Sequence, residues 1–199
     1  MKSDTGQKVD CAFFGRPCLG EDVSGDTAVI RESQGVLFLA IIDVLGHGQE
    51  AYVLAERIDE FLQENWSRDV MATLLRLHEE ITGTRGAAVG ICSLEVAAGK
   101  LSYVGVGNTV FRKFGPRSGH LHSTNGTIGS QIRTPVEHHR NLASSDIVLL
   151  HTDGVKNRFE IEDYPQMLYQ SAQTVARSVV NKFGKRVDDA TCIALRYKP

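Results

Sequence analysis

Val36-Leu37-Phe38-Leu39-Ala40-Ile41-Ile42, followed at once by Asp43-Val44-Leu45-Gly46-His47-Gly48, is the stretch that decides the fold. Seven consecutive apolar residues have strand length, and without polar alternation such a strand is covered on both faces. The run ends at an acid, and the following segment with its two glycines reads as a loop. From Gln49 the period changes: Ala51, Leu54, Ala55, Ile58, Phe61 and Leu62 follow helical spacing and form one apolar face.

Outward from this unit, residues 9–14 and 26–31 read as strands, and Gly35 opens the third. A second helix is expected over 69–81, with Asp69 near its cap and Val70, Leu74, Leu77 and Ile81 on one side. Strands return at 87–96 and 100–105 around an Ala97-Ala98-Gly99 turn. Further strands are expected at 109–114, 119–122, 131–138 and 147–151. A third helix is expected over 164–183, stopped by Gly184, and a last strand over 191–197. Strands and helices that segregate rather than alternate favour an α+β fold. Two antiparallel sheets packed as a β-sandwich, with helices outside, would bury every apolar face in the chain. With no linker, low-complexity tract or internal repeat, residues 1–199 are expected to form one domain.

The composition excludes several classes. An apolar fraction of 42% and a charged fraction of 23% argue against a disordered chain. A formal net charge of −2 gives no broad basic surface for nucleic acid. The longest apolar run, 36–42, is too short to span a bilayer, and residues 1–10 lack the apolar core of a signal peptide. Cys11, Cys18, Cys92 and Cys192 form no Cys-x-x-Cys pair, so neither a zinc knuckle nor a disulfide framework is expected. A cytoplasmic monomer without nucleic-acid or membrane partners is the expectation.

The chemistry lies in the placement of aspartates. Asp43 follows the buried strand, Asp153 follows 147–150 with His151 and Thr152 and precedes Gly154, and Asp188 and Asp189 precede the last strand. Asp26 follows Gly25 and starts an apolar strand. A single Asp beside Gly at a strand end is commonly a turn or cap residue, so the weight rests on the set. Carboxylates gathered at one rim of a sandwich repel one another, and a divalent cation relieves them. Oxygen donors favour magnesium or manganese over zinc.

Asp43-Val44-Leu45-Gly46-His47-Gly48 resembles the Asp-Gly/Val-x-Gly-His-Gly segment of the bacterial PPM-type (type 2C) protein phosphatases. Ser24-Gly25-Asp26, Gly105-Val106-Gly107-Asn108, His151-Thr152-Asp153-Gly154-Val155 and Asp188-Asp189-Ala190-Thr191 resemble four further family segments, in family order over nearly the whole chain. The size resembles the SpoIIE/RsbU branch, and within it the small stressosome phosphatase that is a bare catalytic domain. The resemblance implies a β-sandwich with two divalent metal ions, Mn2+ or Mg2+, at one edge. It implies that Asp43 bridges both metals, that the Val44 carbonyl is a further ligand, and that Asp26 serves one metal, with Glu21 and Asp22 as competitors. Asp153 and Asp188 would serve the other, or Asp189 in place of Asp188.

The catalytic set implied is thus Asp43, Asp153 and Asp188, with Arg16 and Asn108 as candidates for substrate phosphate. Asn108 also fits a turn, and Arg16 a solvated surface. The chain departs from the family at Arg85-Gly86-Ala87-Ala88, which lacks the usual hydroxyl, and at Leu45, where eukaryotic relatives carry histidine. His47 fits loop orientation better than general-acid work. His151 fits a core position as well as one beside Asp153. His120 and His122 fit a half-exposed edge strand better than a zinc pair.

The implied reaction is hydrolysis of a phosphomonoester, with water activated by two cations attacking in line and no covalent phosphoenzyme. The implied substrates are phosphoserine or phosphothreonine on STAS-domain proteins of a stressosome. The competing readings are a non-catalytic module that keeps this fold to hold a signalling partner, and a hydrolase of small phosphorylated metabolites. Residues 114–129, rich in Gly, Ser and His, are a candidate partner-recognition surface.

Overall fold

The structure is a computed structural model and describes residues 9–198. Its elements are β1 (Val9–Arg16), β2 (Asp26–Ser33), β3 (Val36–Val44), α1 (Gln49–Asn65), α2 (Val70–Glu80), β4 (Ala87–Glu95), β5 (Lys100–Val106), β6 (Val110–Phe114), β7 (Gly119–Leu121), β8 (Glu137–Asn141), β9 (Ile147–His151), α3 (Ala172–Phe183) and β10 (Ala190–Tyr197). They form two five-stranded sheets, ordered β1-β10-β9-β6-β7 and β2-β3-β4-β5-β8. Every neighbouring pair is antiparallel.

The apolar run becomes β3, second strand of its sheet, and is covered twice. Side chains alternate across a strand, so Leu37, Leu39 and Ile41 point between the sheets. Phe38, Ala40, Ile42 and Val44 point the other way, beneath α1 and α2. Helix α1 buries Ala51, Leu54, Ala55, Ile58 and Leu62 against that face. Helix α2 is capped by Asp69, whose Oδ1 accepts from the Ala72 amide at 2.8 Å. Across the sandwich, β10 divides its side chains in the same way. Ile193 and Leu195 face β3, while Ala190, Cys192 and Ala194 lie under α3. Each fully buried Leu or Ile contributes about 1.5–3 kcal/mol, so the two-sided strands are where the fold gains most per residue.

Most element ends differ from the sequence reading by one or two residues, and three differences have a bearing on the fold or the site. The third helix begins at Ala172, not at 164. Ser171 caps it, accepting from the Thr174 amide at 3.3 Å, and Pro165 interrupts the preceding segment, which folds as two 3-10 turns, Ile161–Asp163 and Pro165–Leu168. The strand expected at 131–138 is instead β8, Glu137–Asn141, because Pro135 has no amide to give a ladder. Asp43 lies inside β3, which runs on to Val44, instead of in the loop beyond it.

Candidate active site

Asp26 and Asp43 are directly paired across β2 and β3. By strand alternation Asp43 shares the face of Leu39 and Ile41, so both carboxyls sit at the rim of the space between the sheets. The opposite sheet reaches them through Thr152, whose hydroxyl donates to Asp26 Oδ2 at 2.7 Å. The Thr152 amide donates to Thr191 O at 3.1 Å, and the Thr191 amide donates to Thr152 Oγ1 at 3.1 Å. This clamp at the ends of β9 and β10 fixes where Asp153 begins. Gly154 follows because nothing larger fits: a Cβ there would lie 1.7 Å from the Asp189 carbonyl oxygen.

The acids feel one another. Burial, then repulsion from Asp153, Asp188 and Asp189, pushes the Asp43 carboxyl up to about 7, against a smaller opposing pull from Lys185. Burial and then Asp43 raise Asp26 well above the ordinary carboxylate range. Burial and then Asp153 raise Asp188. A set of oxygen donors that suppresses its own ionisation fits a hard divalent cation, which would reverse those shifts. Among the described residues no three acidic, histidine or cysteine side chains stand at ligating spacing.

The neighbouring aspartates have different surroundings. Asp189 is 5% exposed, and its oxygens accept from the Cys18 and Gly25 amides, each at 2.7 Å. It ties the β1–β2 loop to the base of β10. Gly25 allows this approach, since a Cβ there would meet the Ala51 Cβ at 2.8 Å. Asp188 is half-buried and lies 3.8 Å from Lys185 Nζ. The Arg16 guanidinium donates to the carbonyls of Lys185 (2.6 Å), Pro17 (3.0 Å) and Asp188 (3.4 Å), so it braces the loop that carries Asp188. The Val44 amide donates to Gly25 O at 3.1 Å, joining the segments that carry Asp43 and Asp26. Glu21 is engaged by His47, with Nδ1 2.8 Å from Oε1. Buried His151 donates Nδ1–H to Thr152 O at 2.9 Å, and burial lowers its pKa to about 4, so it stays neutral. His120 sits on edge strand β7, with His122 just beyond it.

Asn108 lies at an open cleft of about 510 Å³, together with Asp153, Lys156, Arg158 and Lys185. The three cations were not singled out from the sequence; the available signal was Lys-x-Arg two residues after Asp153-Gly154. A larger cavity, about 720 Å³ between β7 and β8, holds none of the aspartates of the rim.

Two antiparallel five-stranded sheets with helices outside are the fold of the PPM-type phosphatases. A chain solved in work on the bacterial stressosome as a modular system adapted to control secondary messenger signaling superposes with a TM-score of 0.86 at 25% identity, over 96% of this chain and 100% of that one. RsbX in complex with magnesium gives 0.83 at 22% identity, over 96% of each chain. The PP2C phosphatase domain of SpoIIE from Bacillus subtilis, with a fragment of its regulatory domain, gives 0.77 at 18%, over 96% of this chain and 63% of that one. A search of curated protein sequences gives no match. Residues 33–198 match the family model of Stage II sporulation protein E (SpoIIE), and the chain belongs to that family of PPM-type phosphatases.

Proposed function

We propose that the chain is a metal-dependent phosphatase acting on phosphoserine or phosphothreonine of a signalling protein, with STAS-domain proteins of a stressosome as substrates. The observation that carries this is the Asp26–Asp43 pair on one sheet, meeting Asp153 and Asp188 from the other. Similarity to a stressosome chain and to RsbX supports the choice of substrate class.

Two divalent cations would be held by Asp43, which is central to the set, with Asp26 and the Val44 carbonyl on one side and Asp153 and Asp188 on the other. Asp188 is favoured over Asp189 because both Asp189 oxygens are already held by amides. Bound there, Mn2+ or Mg2+ supplies Lewis-acid chemistry, activating water near neutral pH and neutralising phosphoryl charge. The Thr152 hydroxyl keeps Asp26 oriented, and Arg16 holds the Asp188 loop in place. Arg16 therefore acts through the backbone rather than on substrate. Cys18, the cysteine nearest these acids in the hydrogen-bond pattern, has its thiol pKa raised by desolvation and by Asp189, the opposite of what a nucleophilic thiolate needs. Among the described residues no helix is long and apolar enough to cross a membrane.

The test is phosphate release from a phosphoserine STAS-domain protein and from an aryl phosphate, with and without Mn2+, for the wild type and Asp43→Asn. Manganese-dependent turnover that collapses in the variant is expected. No turnover of either substrate with Mn2+ or Mg2+ would transfer the assignment to a non-catalytic module.

A further inference from the structure

Asp153 stands on one side of a cleft whose other charged walls are cationic. Lys156, Arg158 and Lys185 surround this one acid, on a chain whose formal net charge is −2. Lys156 and Lys185 are far apart in sequence and are brought together by a bridge between Val155 and Gly184. The Lys156 amide donates to Phe183 O at 3.0 Å, and the Lys185 amide donates to Gly154 O at 2.7 Å. Like charges set side by side repel unless an anion stands between them. Asp188 meets Lys185 only at 3.8 Å. Lys156 and Arg158 are exposed and have no ion-pair partner among the described residues.

The segment that carries these two cations is anchored from behind by Arg112 of β6. This arginine is 2% exposed, and its guanidinium lies 4.6 Å from the ring centroids of both Phe114 and Phe159. It donates to the carbonyl of Phe159, to that of Asn157 at 3.4 Å, and to Glu160 Oε2 at 3.1 Å. Phe159 stacks on Phe183 of α3 at 4.3 Å. Residues 157–160 belong to no helix or strand, so a buried cation takes up carbonyls that a ladder would otherwise satisfy. Exposed cations on a segment whose backbone is fixed in this way form an anion site in which only side chains remain to be ordered on binding.

Resting on the phosphatase reading above, we infer that this cleft binds a carboxylate side chain of the protein substrate, close in sequence to the phosphorylated residue. The cleft and the reaction site share Asp153. A peptide whose phosphoryl group reaches the acids therefore lays its neighbouring residues across Lys156 and Arg158. The enzyme accordingly selects phosphorylation sites flanked by Asp or Glu.

The test compares the wild type with the double variant Lys156→Glu, Arg158→Glu, in the presence of Mn2+, on three substrates. These are an aryl phosphate, a phosphoserine peptide flanked by glutamates, and the same peptide flanked by lysines. Aryl phosphate turnover should stay within about twofold, while kcat/KM for the glutamate peptide falls about tenfold and that for the lysine peptide rises. The wild-type preference should shrink as salt is added. Equal losses on all three substrates would put these cations on the transferred phosphoryl group and overturn the inference. So would a wild type indifferent to flanking charge. Anisotropy of a fluorescent glutamate peptide reads the cleft without turnover. Tighter binding by the wild type than by the variant sustains the inference even if nothing is hydrolysed, in which case the phosphatase reading alone fails. Equal binding by the two proteins sinks the cleft.

Discussion

The two sheets deliver their acids to the rim in different ways. Asp26 and Asp43 lie inside strands, paired to each other, and Asp43 is paired again to Ala88 of β4. Asp153 and Asp188 lie outside strands, on loops held by the Thr152–Thr191 clamp, by Arg16 and by the Val155–Gly184 bridge. One half of the site is a floor set by ladder register, and the other is a wall set by side-chain ties. A floor of this kind tolerates loss of its charge without losing its shape. A wall of this kind depends on the few groups that hold it.

The sharpest way to break this contrast is Asp43→Asn. Turnover with Mn2+ should fall by about two to three orders of magnitude, while the floor stays folded. Without cations the variant should be more stable than the wild type at pH 7.5. The folded-state pKa of Asp43 is raised to about 7, so its contribution to stability is complete below about pH 4 and is lost as pH rises through 7. A shift of that size is worth on the order of 2–4 kcal/mol, readable as a difference in urea midpoint between pH 5 and pH 7.5 that is smaller in the variant, where Asp26 and Asp188 still titrate with raised pKa values. An equal pH dependence in both proteins would mean that the acids do not share one rim.

Arg112→Met tests the wall. Losing a buried cation that satisfies loop carbonyls should cost about 2–4 kcal/mol in denaturant unfolding. Proteolysis should become faster within 155–161 while β2 and β3 keep their amide protection. Uniform loss of protection would show that wall and floor are one unit.

Asp188→Asn and Asp189→Asn separate two neighbours. The first should weaken Mn2+ binding, measured calorimetrically, with little change in metal-free stability. The second should cost about 1–2 kcal/mol, because an amide oxygen replaces one of two carboxylate acceptors and a backbone N–H loses its partner. Exchanged outcomes would exchange the two roles. Thr152→Val removes the hydrogen bond to Asp26 and leaves the buried Thr191 amide without its acceptor, and should cost about 2 kcal/mol.

Much of this is legible in the chain itself. The run 36–42 carries its two-sided burial in its composition, and the acids at strand ends stand beside the glycines that close packing demands. The start of α3 was less legible, because apolar spacing continues through 164–171 while Pro165 and the Ser171 cap interrupt it locally. The strand expected at 131–138 forms instead at 137–141 for a related reason: β8 is a polar edge strand, exposed or half-buried at every residue, and apolar patterning carries no signal there.

The chain by itself determined the strongly apolar elements, the faces they bury and which residue types could gather a divalent cation. Periodicity and glycine placement are local properties that a linear chain displays. The tertiary structure alone decided that Asp26 faces Asp43, that Asp189 ties a loop while Asp188 stays half-buried at the rim, and that Arg112 stands behind the cationic cleft. Each of these depends on register or on a hydrogen bond between residues distant in sequence. Register shifted by one residue would turn every side chain of a strand to the other face, and no local pattern records which residues a buried arginine will hold.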